Sequence, residues 1–211
     1  MEQGKEIKPT REEFEKFTLY AHATNDRASN LARAEILGFG GKETEIAPGA
    51  NVRVSPDRIG RRSFIGLYCY LNGKVTVGDD VLIGRRSFIG LYCYLNGKVT
   101  VGDDVLIGPH CSIVAGNHKF DPATGAFTAR TEGDGDESVV IGNGSWLCSN
   151  VTVTPGCKIG RANLICAGAV VTKSTPDYAI MAGVPAEQVG EIDPATGEYR
   201  WYSRTGKGEG K

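Results

Sequence analysis

An aliphatic residue returns at every sixth position from Ile59 to Ile113: Ile59, Ile65, Leu71, Val77, Ile83, Ile89, Leu95, Val101, Ile107 and Ile113. A helix repeats near 3.6 residues and a strand alternates at two, so a period of six belongs to neither alone. Glycine follows seven of these ten residues and asparagine two, the residue types that best tolerate a left-handed turn. Short strands turning every six residues predict a left-handed parallel β-helix. Three hexapeptides make one triangular coil, and the aliphatic rungs fill the prism.

The same count extends beyond this run. Ile46 and Val52 begin the ladder, one extra residue near Pro56 and Asp57 precedes Ile59, and Ile141, Leu147, Val153, Ile159, Ile165 and Val171 resume it. Eighteen rungs suffice for about six coils. The period is lost over 116–138, a polar, glycine-rich segment too long for a tight turn and expected to protrude. Before the ladder, Thr10 and Glu13 form a capping-box pattern ahead of a short helix over 11–20. A second helix is predicted over 26–37, with Leu31, Ala34 and Ile36 or Leu37 on its apolar side and Gly38 beyond its end. The expected organisation is a helical cap over 1–45, a β-helix over 46–175 that stops at Pro176, and a tail over 176–211. In that tail the DPATGEYRWY stretch predicts a hairpin.

One segment is copied. Residues 59–82, IGRRSFIGLYCYLNGKVTVGDDVL, recur letter for letter at 83–106. Twenty-four residues are four hexapeptides and not a multiple of three. Counting alone therefore predicts that everything after the copy is turned by one face of the triangle and moved by one and a third coils, roughly 6 Å at about 4.8 Å per strand. Equivalent residues such as Tyr68 and Tyr92 would then lie on different faces.

Composition narrows the function. The 211-residue chain has 24 basic and 25 acidic side chains, a net charge of −1 that gives no electrostatic reason to expect nucleic acid or an anionic membrane. No apolar run approaches the roughly 18 residues of a membrane helix, and MEQGKEIKPT has no signal-peptide core, so the expected location is the cytoplasm. Six cysteines occur without a CxxC pair; Cys69, Cys93, Cys111 and Cys157 each fall four residues after a rung, where they read as small buried hydrophobes with free thiols.

Because the prism is filled by Ile, Leu and Val, chemistry belongs on the outer faces, in the loop, or between subunits. Protruding aromatics such as Phe64, Tyr68, Tyr70 and their copies favour side-by-side association, and a threefold ring suits a triangular prism. Three histidines are the ready proton carriers near neutrality. His22 belongs to the helical cap and His110 to a coil corner, whereas His118 stands where the ladder opens into the loop, a position that suits a general base.

The hexapeptide rungs, the break at Asn117-His118, the loop, and the segments IGNGSW, PGCKIG, AGAVVTK and GVPA resemble the hexapeptide-repeat acyltransferases, in particular the galactoside, maltose and xenobiotic O-acetyltransferase branch. The resemblance covers about 59–190. It implies an acetyl-CoA-dependent O-acetyltransferase, a homotrimer without a metal, acting on a small-molecule hydroxyl acceptor. His118 matches the residue that deprotonates the acceptor hydroxyl as it attacks the thioester directly. Ser149 matches the position that approaches the thioester oxygen, and Trp146 the aromatic wall beside the pantetheine arm. Ala167, Thr172 and Lys173 match positions lining the coenzyme groove. Where galactoside and maltose enzymes carry an asparagine-rich segment this chain has FIGLYC, so the expected acceptor is a sugar or other hydroxyl compound other than a galactoside.

Two other readings stay open on the sequence. A zinc carbonic anhydrase built on the same β-helix needs three convergent histidines, which the spacing of His22, His110 and His118 disfavours. A non-catalytic or engineered scaffold is the other, suggested by the copied segment.

Overall fold

The computed structural model describes residues 25–72, 82–127 and 137–202. The predicted helix over 11–20, His22 and Val77 lie outside them. Three parallel sheets form the sides of a triangular prism. The first carries Glu45–Ile46, Phe64–Ile65, Phe88–Ile89, Leu106–Ile107, Trp146–Leu147, Leu164–Ile165 and Ala179–Ala182. The second runs from Asn51–Arg53 through Tyr70–Asn72, Tyr94–Gly97, Ser112–Ala115 and Thr152–Val153 to Val170–Val171. The third contains Leu82–Ile83, Val99–Val101, Val139–Ile141 and Lys158–Ile159, with Ile59 bridging to Ile83. The rungs point inward, and Ile65, Leu71, Leu95, Ile113, Leu147 and Val153 are all 0% exposed.

The copied segment behaves differently from the six-residue count. Phe64 pairs with Phe88 and Tyr70 with Tyr94, so each residue of the first copy lies beside its own duplicate on the same face. The rings follow: Phe64 stacks on Phe88 at 4.9 Å, Tyr68 on Tyr92 at 5.4 Å, and Tyr70 on Tyr94 at 5.3 Å. The expected one-face rotation is therefore absent. Leu71 on the second sheet and Ile83 on the third are twelve positions apart, where Leu95 and Val101 in the next coil are six apart. The described coils on either side of this span keep one register.

The glycine after each rung also has a role other than the expected one. The left-handed residues sit two positions later, at Arg62, Arg86 and Asp104 on one corner and at Tyr68, Tyr92, His110 and Asn150 on the next. The glycine itself is needed because the coils touch there. A Cβ at Gly84 would lie 2.2 Å from the Gly102 carbonyl oxygen, and one at Gly90 would lie 2.7 Å from the Gly108 carbonyl carbon.

The cysteines four residues past a rung are buried, as expected, and all six are free. They are more than apolar filler. Ser63 and Ser87 donate their hydroxyls to the Gly84 and Gly102 carbonyls at 2.8 Å, and Cys93 and Cys111 donate their thiols in the same way to Gly108 and Cys148 at 3.1 Å. Each small polar side chain thus satisfies a corner carbonyl of the next coil.

The N-terminal end is closed by the helix Arg27–Ile36, capped by Asp26, whose carboxylate accepts from the Ser29 backbone N–H at 2.9 Å. Its buried face is Asn30, Arg33 and Ala34, shifted from the predicted apolar side. Arg33, 1% exposed, donates its Nε to the Ile46 carbonyl at 2.7 Å and so satisfies a group at the open end of the first sheet. At the other end the first sheet continues antiparallel through Glu187–Ile192 and Tyr199–Trp201, which is the predicted hairpin.

The register makes a sharp prediction. Phe64→Cys combined with Phe88→Cys places two thiols on paired positions of adjacent strands, within reach of disulfide geometry. Mild oxidation should join positions 64 and 88 within one chain, read by peptide mapping. A one-face rotation of the copies would leave these positions unlinked.

Candidate functional site

The β-helix turns at three corners, and the site residues sort by corner. Trp146 projects from the first sheet, 48% exposed, between Leu106 and Leu164 of the neighbouring coils. Phe88 and Phe64 continue this apolar strip toward the N-terminus. Ser149 and Ala167 stand at the corner between the first and second sheets, joined by the Gly168 N–H donating to the Ser149 carbonyl at 3.0 Å. Below them the same corner carries a column of rings, Tyr68, Tyr92 and His110, with His110 stacked on Tyr92 at 5.1 Å.

His118, Thr172 and Lys173 belong to the next corner, between the second and third sheets. Thr172 and Lys173 follow Val170–Val171 in the last full coil, and both are exposed. His118 follows Ser112–Ala115 two coils earlier and is exposed at the start of the inserted loop. Between Ser149 and Thr154 the chain crosses one face, about 16 Å at roughly 3.3 Å per residue. Within one chain the fold therefore groups Ser149 with Ala167, groups His118 with Thr172 and Lys173 on a common corner, and separates these two groups by the width of a face.

The loop has structure that the sequence reading missed. Phe120–Asp121 pairs antiparallel with Ala126–Phe127, and the two exposed phenylalanine rings meet edge to face at 5.6 Å. The turn is DPATG, the pentapeptide that also turns the C-terminal hairpin at 193–197. In both turns the aspartate carboxylate accepts from the backbone N–H two residues on, Asp121 from Ala123 at 2.9 Å and Asp193 from Ala195 at 2.8 Å. In both a glycine of positive φ ends the turn, Gly125 at 66° and Gly197 at 76°. The repeated pentapeptide was the available signal.

At the loop's mouth Glu137 faces Asn117. The carboxylate accepts from the Asn117 backbone N–H at 3.1 Å and from its side-chain amide at 3.4 Å. The Glu137 carbonyl accepts from the Gly156 N–H of the following coil at 3.0 Å.

No thiol near these residues is set up as a nucleophile. Burial pushes the Cys148 and Cys166 thiols up, and at Cys148 the neighbouring Cys166 and Cys111 add to the effect. The Cys111 thiol is pushed up by its hydrogen-bonded neighbour Cys93 and by burial. The two histidines in the described residues also stand apart, His110 in the ring column and His118 at the next corner. Among the described residues no group of three metal-binding side chains converges.

Comparisons with known proteins agree with this architecture. Residues 138–173 match the bacterial transferase hexapeptide (six repeats) family model, and residues 74–92 match the hexapeptide repeat of succinyl-transferase. The first of these segments contains Trp146, Ser149, Ala167, Thr172 and Lys173. The galactoside O-acetyltransferase of Escherichia coli (strain K12) is 39% identical over 61 residues, 29% of this chain and 30% of that protein. The chain thus spans under a third of the length of the curated relatives it matches. Among solved structures, a mutant of AntD, an N-acyltransferase from Bacillus cereus crystallised with dTDP and coenzyme A, superposes with a TM-score of 0.58 at 21% identity, covering 72% of this chain and 82% of that one. LpxA, a UDP-N-acetylglucosamine acyltransferase from Bacteroides fragilis, gives a TM-score of 0.53 at 17% identity, covering 70% and 54%. The chain carries hexapeptide repeats and has the left-handed β-helix fold of these solved structures.

Low reactivity is predicted because Cys69, Cys93, Cys111 and Cys157 are buried, even though the hydrogen bond with Cys93 holds the Cys69 thiol down, and because burial pushes Cys148 and Cys166 up. At pH 8 the native protein should react with Ellman's reagent about tenfold or more slowly than free cysteine, and all six thiols should titrate in denaturant. A thiol reacting as fast as free cysteine in the native state would contradict the assignment.

Proposed function

We propose that this protein transfers the acetyl group of acetyl-CoA to a hydroxyl of a small acceptor such as a sugar, with His118 as general base. The observation that carries the reading is a histidine standing where the ladder opens into its long inserted loop, on a β-helix whose late coils match a bacterial transferase hexapeptide model. The galactoside O-acetyltransferase match supports oxygen as the accepting atom.

In the proposed step the neutral imidazole of His118 takes the proton of the acceptor O–H as its oxygen attacks the thioester carbonyl carbon. A C–O bond forms and the carbonyl oxygen becomes an oxyanion, stabilised at Ser149. Collapse breaks the C–S bond, and the departing thiolate recovers the proton from the imidazolium. A hydroxyl needs a base to become a competent nucleophile, while the thioester is already activated, so no acyl-enzyme is required. The raised thiols at Cys148 and Cys166 agree with direct transfer.

A base acts only within about 3 Å of the proton it removes, and one chain separates Ser149 from the corner of His118 by a face. The reading therefore places the reaction between neighbouring copies in a homotrimer, where the Ser149 corner of one prism meets the His118 corner of the next. Trp146 walls the pantetheine arm, Ala167 and Thr172 line the groove, and Lys173 meets a coenzyme phosphate.

The assay is free-thiol release from acetyl-CoA against a panel of hydroxyl acceptors. His118→Ala should lower the rate by about 10²–10⁴-fold while sedimentation still reports a trimer. An unaltered protein without transfer to any acceptor, or a His118→Ala variant of full activity, would favour the scaffold reading instead.

A further inference from the structure

We infer that Glu137 is a positioning residue for His118, clasping the two ends of the inserted loop so that the imidazole is held where the acceptor hydroxyl arrives. The inference rests on the general-base reading of His118.

The loop leaves the second sheet at Gly116, whose φ of 147° is a conformation that other residues adopt only with strain. A glycine at the exit gives the following residues freedom that a catalytic base must lose. Glu137 removes it from the far side of the loop. Its two carboxylate oxygens take both donors of Asn117, the residue immediately before His118. A charged acceptor on a backbone N–H makes a stronger, more directional bond than a neutral one.

Glu137 is itself rigidly held. Its carbonyl is bound by Gly156 at 3.0 Å, and two residues later the Val139 N–H donates to Lys98 at 3.0 Å as the chain enters the third sheet. Val139 is 0% exposed and Ser138 8%. The rigidity of the prism thus passes through one carboxylate to the backbone that carries His118, bypassing the nineteen residues between Asn117 and Glu137.

A catalytic group displaced by about 1 Å costs on the order of 100-fold in rate, which sets the scale of the test. Glu137→Ala should lower kcat about 10- to 100-fold and leave the KM for acetyl-CoA within about twofold, because Glu137 bonds to Asn117 and Gly156 and acts on the base, not on a residue assigned to the coenzyme. Glu137→Gln should retain most activity, since its amide oxygen still accepts from the Asn117 N–H. It should also leave the acid limb of the pH profile in place, because the carboxylate acts on position and not on the charge of the imidazole. In a His118→Ala background, Glu137→Ala should cause no further loss.

A full-rate Glu137→Ala variant, a shifted acid limb in Glu137→Gln, or an additive loss in the His118→Ala background would each overturn the assignment. Hydrogen exchange at the Asn117 amide gives a readout independent of activity, and Glu137→Ala should accelerate it. Asn117→Ala, which removes only the side-chain contact, tests the clasp if Glu137→Ala folds poorly. If the unaltered protein or His118→Ala disproves the base reading, the exchange measurement still decides whether the clasp exists.

Discussion

Coil-on-coil register is the constraint on which the rest of the molecule depends. In a β-helix each coil is paired only with the one above and the one below, so a coil has no fixed conformation apart from its neighbours. The duplicated segment exposes the strength of this constraint. Twenty-four inserted residues could keep every rung inside the prism and rotate the two ends by one face. Keeping the duplicates in register instead sets Leu71 and Ile83 twelve positions apart where Leu95 and Val101 are six apart. The gain is three stacked aromatic pairs, Phe64–Phe88, Tyr68–Tyr92 and Tyr70–Tyr94, at about 0.5–1.5 kcal/mol each beyond their area. The stacked arrangement also keeps Ser63 and Ser87 on equivalent corner carbonyls.

This explains which parts of the fold were legible in the sequence. Rung positions were, because burial in a narrow prism admits only aliphatic side chains at fixed spacing, and Ile59, Ile83 and Ile113 are all 0% exposed. The phase of the copies was not, because a count of six treats all hexapeptides as interchangeable, while the rings and hydroxyls on the outside distinguish them. The glycines were recognised for the wrong reason. Their spacing suggested a positive φ, whereas Gly84 and Gly90 are demanded by backbone approaching from the next coil, a contact that no local reading contains. The helix face was misplaced in the same way: Arg33 looks polar in sequence, but its burial is set by the Ile46 carbonyl it meets.

The sequence nominates the candidate residues but not their arrangement. Segment matches placed Trp146, Ser149, Ala167, Thr172 and Lys173 on the late coils, and the break in period marked His118. Which corner each occupies follows only from the strand register, and the register distributes them over two corners and one face. Chemistry that needs a base near a thioester cannot be completed across the width of a prism. A solenoid solves this by association, because a side-by-side neighbour brings a second corner to the first. The exposed strip of Phe88, Leu106 and Trp146 suits such contact, since a monomer seldom leaves a continuous apolar row in water.

Where a loop can be inserted is limited by the same stacking. A coil opened at a corner loses the hydrogen bonds of that corner unless the two ends are returned to the spacing that six residues would have given. Here Ser112–Ala115 and Val139–Ile141 remain paired with the coil below as though nothing lay between them. Glu137 restores the missing corner bonds, binding Asn117 on one side and Gly156 on the other. The interaction that closes the prism at this corner is therefore also the one that fixes the segment leading to His118, so continuity of the stack and placement of the histidine are met by a single side chain.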